Sequence, residues 1–328
     1  MKNKTTHRLL GLYLALLGAS QHCIRHAKGM IRIMKQIDLH VHSNASDGTL
    51  SPSELVHYAI EKELAAIALT DHDTVLGIKE AMETATTFRN KGIDFSLIPG
   101  VEISAGFRKR DIHILGLFVD YTNAYLLAQL DWAVKNREAR NEKMAENLRK
   151  AGLSITVEEL RQEDPKAILT RAHFAKLLYK KGYVKNVKDA FTKFLDENGP
   201  YYVNRDYISP EGAIALIKEA GGIPILAHPL LYHLNEREID ALVGNLTEAG
   251  LAGIEAIYAN NVSNDEAFAR SLARKYNLLI SGGSDFHGSI KPDIDLGSGR
   301  GNLKVPAELL DAMQEYRIKN LLGSNLVY

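Results

Sequence analysis

The stretch Ile37-Asp38-Leu39-His40-Val41-His42-Ser43 constrains this chain more than any other. It reads as a short strand that delivers two histidines to one side. Side chains alternate across a strand, so His40 and His42 share a face while Val41 turns to the other. Two imidazoles placed this way can occupy adjacent positions on one metal ion. Taken alone, the pair fits an incidental arrangement as well. The metal reading gains weight because five later strands each run into another residue able to ligate a metal.

Those strands follow one another in a recognisable rhythm. After the turn-rich loop Asn44–Thr49, Ser51-Pro52-Ser53-Glu54 has the order of a helix start: a Ser cap, Pro in the first turn and Glu three residues on. Leu64–Thr70 is a continuous apolar run, as expected for a parallel strand buried on both faces, and it ends in Asp71-His72-Asp73. A helix is expected from about Val75 to Arg89. Phe95–Pro99 then reads as a strand ending in Gly100-Val101-Glu102. Asp111–Val119 reads as a fourth, with His113 and Leu115 on one face. From Tyr121 to Asp206 the pattern turns helical, with Leu126, Leu130, Ala133 and Val134 forming one apolar stripe. The strand–helix rhythm then returns. Ile223–Ala227 ends at His228-Pro229, Gly253–Tyr258 at Asn260, and Leu278–Gly283 at Ser284-Asp285-Phe286-His287.

About seven strands alternating with helices predict an α/β fold, a distorted seven-stranded (β/α)7 barrel with a helical insertion after the fourth strand. The barrel domain would comprise residues 34–120 and 207–328, and the insertion residues 121–206. Residues 1–33 fit neither. Lys2, Lys4 and Arg8 precede the apolar run Leu9–Leu17 and the small residues Gly18, Ala19 and Ser20. That order resembles an export signal and is too short to span a membrane. Met34-Lys35-Gln36 leads straight into the first strand, so we expect an upstream extension outside the fold and a cytoplasmic protein.

Composition narrows the chemistry. Among 328 residues, Lys plus Arg equals Asp plus Glu, so no global basic field exists to hold duplex DNA, and phosphate binding must be local. Cys23 is the sole cysteine, which excludes an internal disulfide and a thiolate-rich zinc site. Metal binding must therefore use His, Asp and Glu, a donor set that suits Mn, Zn or Fe. In α/β barrels the chemistry sits at the C-terminal strand ends. His40, His42, Asp47, His72, Glu102, His113, His228, Asp285 and His287 fall there or just beyond. Burying so many ionisable groups in one place is costly unless they are charge-paired or metal-bound. The expectation is a multinuclear metal site.

The segments His40-Val41-His42 with Asp47, Thr70–Thr74, Pro99–Glu102, His113–Gly116, Ala227-His228-Pro229 and Gly283–Gly288 resemble, in order, the PHP (polymerase and histidinol phosphatase) family. Within it the chain most resembles the 3′,5′-nucleoside bisphosphate phosphatases. Those relatives also carry a helical insertion, with an Arg-Pro-His-Phe-Ala segment where this chain has Arg171-Ala172-His173-Phe174-Ala175. The resemblance implies three divalent metal ions. His40, His42, Glu102 and Asp285 would hold the first. Glu102, His113 and His228 would hold the second, with Glu102 bridging. Asp47, His72 and His287 would hold the third. It further implies phosphomonoester hydrolysis by metal-activated hydroxide, with Glu102, Asp285 and His228 as catalytic candidates.

Arg171 and His173 are candidates for a second, non-reacting phosphate, because a guanidinium can donate two parallel hydrogen bonds to phosphate oxygens. Arg140 is a further substrate-binding candidate: Arg137, Arg140 and Lys143 recur at threes on one helix, facing either the cleft or solvent. Asp71 and Asp73 are candidates to orient histidines, and Asp73 alternatively to cap the next helix. The implied substrate is a small nucleotide, and some relatives also trim the 5′ ends of short RNA. A histidinol-phosphate or cyclic-phosphate hydrolase would use the same metals, and a non-catalytic metal-binding scaffold is the alternative outside enzymes. No membrane partner is implied, and no sequence feature sets an oligomeric state.

Overall fold

The computed structural model describes residues 36–320, apart from 109, 164, 166, 197 and 198. The extension expected at residues 1–33 therefore lies outside the described residues. No helix among the described residues is long and apolar enough to cross a membrane.

Seven strands form one sheet in sequence order: β1 (Ile37–Val41), β2 (Ala66–Leu69), β3 (Ser96–Phe107), β4 (Arg110–Leu117), β5 (Ile223–Leu226), β6 (Gly253–Tyr258) and β7 (Leu279–Gly283). Backbone bonds from His42 N to Phe286 O (3.0 Å) and from Asp285 N to His40 O (2.9 Å) join β1 to the segment following β7 and close the barrel. Gly283 makes this closure possible, since a Cβ there would lie 2.4 Å from that of His40. The architecture is the distorted (β/α)7 barrel expected from the strand pattern.

The alternation breaks in one place. β3 turns directly into β4, and β4 pairs antiparallel with both β3 and β5, whereas the remaining pairs are parallel. An antiparallel pair needs only a tight turn, so no helix intervenes. Two ligand expectations change as a result. Glu102 lies in the middle of β3 rather than at its end. His113 sits in the N-terminal half of β4, which enters the barrel from the mouth instead of leaving through it.

Helices cover the outside: α1 (Pro52–Glu61), α2 (Ile78–Asn90), α3 (Ala124–Lys150), α4 (Val157–Glu163), α5 (Arg171–Lys180), α6 (Val187–Ala190), α7 (Pro210–Glu219), α8 (Glu236–Glu248), α9 (Asp265–Tyr276) and α10 (Glu308–Asn320). A single π-turn, Phe191–Leu195, follows α6. α1 starts as its sequence dictates: Ser51 and Glu54 form a reciprocal capping box with Pro52 in the first turn. α2 starts at Ile78, three residues later than the sequence pattern suggested, because Asp73 is committed elsewhere and does not cap it.

One apolar cluster lies between the sheet and its helices, and includes Val41, Ile67, Leu69, Ile103 and Ile114. A second fills the barrel on the opposite strand faces, with Ile37, Ile98, Leu115, Leu117 and Ile225. Glu102 shares the face of Ile98, and His113 that of Leu115, so both polar groups stand above a packed apolar floor. β1 reaches this arrangement through a register shift between Asp38 and Val41. α3–α6 and the π-turn build a third cluster around Phe174, Leu148 and Ile155.

Candidate metal centre and phosphate cleft

Glu102 is the hub of the barrel mouth. Its Oε1 lies 2.7 Å from His113 Nδ1 and 3.1 Å from His228 Nε2. Its Oε2 lies 3.3 Å from His40 Nε2, 3.2 Å from His42 Nε2 and 3.1 Å from His72 Nδ1. A neighbouring group gathers His42, His72 and His287 around Asp47, with His287 Nε2 3.3 Å and His72 Nε2 3.8 Å from its carboxylate. Asp285 offers Oδ1 to His42 and His40 at 3.3 and 3.7 Å. All nine ligands expected from the sequence converge here.

These side chains satisfy one another only in part, chiefly through Glu102 Oε1 with His113 and His228. Among the described residues, the buried atoms His40 Nε2, His42 Nδ1 and Nε2, His72 Nδ1, Glu102 Oε2 and His228 Nδ1 have no hydrogen-bond partner. Leaving such atoms unpaired costs about 1–3 kcal/mol each, so their convergence needs another explanation. Three groups of ligand atoms each lie close enough to hold one cation: His42, Asp47, His72 and His287; His40, His42 and Glu102; His72, Glu102 and His113. An oxygen and imidazole donor set of this kind fits divalent metals.

Burial and the clustered carboxylates pull these imidazoles in opposite directions. Burial opposes a charged His42, yet Asp285 and Glu102 outweigh it and push its pKa up to about 9. His72 moves the other way, down to about 3, because burial dominates and His42 and His113 add to it against the pull of Glu102 and Asp47. Burial alone would raise Glu102, but His72, His113 and His40 hold it well below the usual carboxylate range. Three site residues, Asp73, His228 and Asp285, adopt positive φ angles of 52°, 24° and 56°. Non-glycine residues are held there only by strong surrounding constraints, commonly at functional sites.

Supporting residues absent from the sequence reading fix this geometry. Glu255, on β6, accepts from His40 Nδ1 (3.1 Å) through one oxygen and from the His228 backbone N–H (2.8 Å) through the other. A single carboxylate inside the apolar strand Gly253–Tyr258 was its only signal. Asp38 accepts from Ser284 N (2.9 Å), Ser284 Oγ (2.5 Å) and Gly297 N (2.8 Å), which pins β7 to β1. Asp71 does not orient a histidine. It accepts from Ser43 N, Ser43 Oγ and Ser46 Oγ at 2.6–2.8 Å and so shapes the loop that carries Asp47.

Asp73 neither orients a histidine nor caps a helix. It receives Ser104 N (2.8 Å), Arg137 and Arg205 (3.5 Å). Arg205 lies in an irregular segment with no periodic signal, and its guanidinium stacks 4.3 Å over Tyr207. Arg171 lies 3.5 Å from Asp111 and 5.5 Å over the Tyr202 ring. Arg137, Arg140, Arg171 and Arg205 thus share one neighbourhood. Burial, together with the other three guanidiniums, lowers the pKa of Arg140 to about 9.

A cavity of about 890 Å³ joins the two regions: Asp47, His72, His113 and His287 line it beside Arg137 and Arg171. Arg140 is buried but does not line this cavity, and donates to Asn141 Oδ1 at 3.0 Å. Lys143 is exposed. His173 is the third residue of α5, where its Nδ1 accepts from Thr170 N (3.0 Å) in a capping box, and it borders a small pocket separate from this cavity. Ala172, where the resembling segment has Pro, donates its N–H to Thr170 Oγ1 (3.2 Å), so a cap does the work of proline's fixed φ.

The barrel and its ligand cluster define a metal-dependent phosphoesterase, a hydrolase of phosphate esters. The chain belongs to the PHP domain family, whose model matches residues 38–325. It is 36% identical over 260 residues to the 5′-3′ exoribonuclease Rnm of Escherichia coli strain K12, covering 79% of this chain and 87% of that protein. It is 34% identical over 265 residues to the 3′,5′-nucleoside bisphosphate phosphatase of Chromobacterium violaceum, covering 80% and 91%. A solved structure from Bifidobacterium adolescentis, assigned as a metal-dependent phosphoesterase, superposes with a TM-score of 0.75 at 28% identity, covering 88% of this chain and 98% of that one.

Proposed function

We propose that this chain removes the 3′-phosphate of nucleoside 3′,5′-bisphosphates and leaves the 5′-monophosphate. The observation that carries the proposal is the shared cavity, in which Arg171 and Arg137 face the same space as His72, His113 and His287. A bisphosphate needs two anion-receiving regions at a fixed separation, and the relative from Chromobacterium violaceum is named for that substrate.

Three ions are proposed, held as the family resemblance apportions them: the first by His40, His42, Glu102 and Asp285, the second by Glu102, His113 and His228, the third by Asp47, His72 and His287. Mn, Zn or Fe suits these donors. Bound there, such ions acidify a water and neutralise phosphate oxygens near neutral pH. The chain's own residues prepare that chemistry. Glu102 turns a different oxygen to each histidine set, which suits a bridging role. Glu255 holds the His40 ring by its Nδ1 and leaves Nε2 for the centre. Arg171 and Arg137 supply planar donors for the non-reacting phosphate, and residues 121–206 act as the cap that carries them.

Short RNA is a second candidate substrate. A cavity of about 890 Å³ is roomy for one nucleotide, and the Escherichia coli relative is named an exoribonuclease. Phosphate release from 3′,5′-bisphosphates and 3′-monophosphates, and mononucleotide release from 5′-phosphorylated oligoribonucleotides, each with added Mn, Zn or Fe, tests the proposal. Fast release from the bisphosphate supports it. Preference for the oligoribonucleotide moves the reading to RNA trimming.

A further inference from the structure

The carboxylate of Asp285 is divided between two duties. Oδ1 faces His42 and His40, while Oδ2 accepts from Tyr258 Oη (2.9 Å) and Lys291 Nζ (2.7 Å). Lys291 is therefore held by the oxygen turned away from the histidines, and it can stay in place when Oδ1 serves a metal. Its loop is tied down independently. Arg300 donates to Asn260 Oδ1 (3.0 Å) and Asp293 Oδ2 (2.7 Å), and Asn260 donates to Tyr258 Oη (3.1 Å).

Lys291 lines the same cavity as Asp47, His72 and His287. An ammonium carries three donors, and among the described residues one is used, on Asp285. The two that remain belong to a cation fixed at the wall beside the metal ligands. Arg171 and Arg137 reach the cavity from the helical segment, whereas Lys291 reaches it from the loop after β7.

We propose that Lys291 is a substrate-contacting residue that donates to an oxygen of the reacting phosphate, distinct from the arginines that hold the other one. The proposal deepens the phosphoesterase reading and rests on it. It predicts that inorganic phosphate, the smallest ligand sharing that group, binds the metal-loaded protein partly through Lys291. The test is calorimetric titration of the metal-loaded protein with inorganic phosphate, alongside kcat/KM and elemental analysis, in Lys291→Met and Lys291→Arg. A charge-assisted hydrogen bond predicts roughly tenfold weaker phosphate binding and a similar fall in kcat/KM for Lys291→Met. Metal content should be unchanged, and Lys291→Arg should recover most of the loss. Unaltered phosphate affinity would overturn the proposal. So would a parallel drop in metal content, which would make Lys291 a support for Asp285. Should the wild type fail to cleave bisphosphates, the substrate reading falls, while the phosphate titration still decides the role of Lys291.

Discussion

Thr170 Oγ1 donates to Asp47 Oδ2 at 2.9 Å and so links the start of α5 to a candidate ligand of the metal centre. The same oxygen accepts from Ala172 N, and a second tie runs nearby from Ile168 N to Ala45 O at 3.0 Å. The helical segment that presents Arg171 is thus registered against the loop that presents Asp47. Replacing Thr170 by Val removes both the cap and the carboxylate contact. The expected cost is about 1 kcal/mol of stability for the cap and roughly 10–100-fold in metal affinity or activity for the lost orienting bond. Thr170→Ser should restore both. Thermal unfolding with elemental analysis checks this, and a Val variant with wild-type metal content and turnover would contradict it.

Glu102 is predicted to be indispensable to more than one ion, since five histidines approach its two oxygens. Glu102→Gln should lose part of the bound metal together with activity, while the barrel still folds. Elemental analysis and circular dichroism would show it. Full metal occupancy with full turnover in that variant would remove the bridging role.

Glu255 is predicted to act through His40 and His228 rather than on substrate. Glu255→Gln keeps the size of the side chain but weakens the hold on the His40 ring. The expected result is roughly 10–100-fold weaker metal binding, as orienting partners of ligands typically give. Activity should be partly recovered at saturating metal. A loss that excess metal cannot relieve would place Glu255 elsewhere in the chemistry.

Asp73 is fully buried between two arginines that are themselves almost entirely buried. Removing one member of such a group leaves uncompensated charge, at a cost of about 3–5 kcal/mol. Asp73→Asn should therefore lower Tm markedly and loosen Arg137 at the cavity wall. A Tm close to wild type would mean that solvent reaches these arginines.

Much of this was legible in the sequence because it was periodic or terminal. Apolar runs marked the buried strands, and His40, His42, His72, His228 and His287 announced themselves by standing where those runs stop. Glu102 and His113 were found as residues but misplaced within their strands. Nothing local distinguishes a strand that turns back antiparallel from one that continues through a helix. The misses have one cause: groups whose role is set by distant partners. Glu255 meets His40 across 215 positions, Thr170 meets Asp47 across 123, and Arg205 meets Asp73 across 132. His173 is ambiguous for another reason: the third residue of a helix suits a cap as well as a ligand. The positive φ values of His228 and Asp285 likewise leave no mark in composition.

The central claim is that one cavity receives two phosphates, one at the metal centre and one at Arg171. The direct measurement is kcat/KM for a nucleoside 3′,5′-bisphosphate and for the matching 3′-monophosphate, in wild type and Arg171→Ala. Hydrogen bonds to a charged group contribute about 1.5–3 kcal/mol. Arg171→Ala should therefore lose roughly ten- to a hundredfold on the bisphosphate and change little on the monophosphate. Equal losses on both substrates would contradict the account and assign Arg171 to holding Asp111 and the fold.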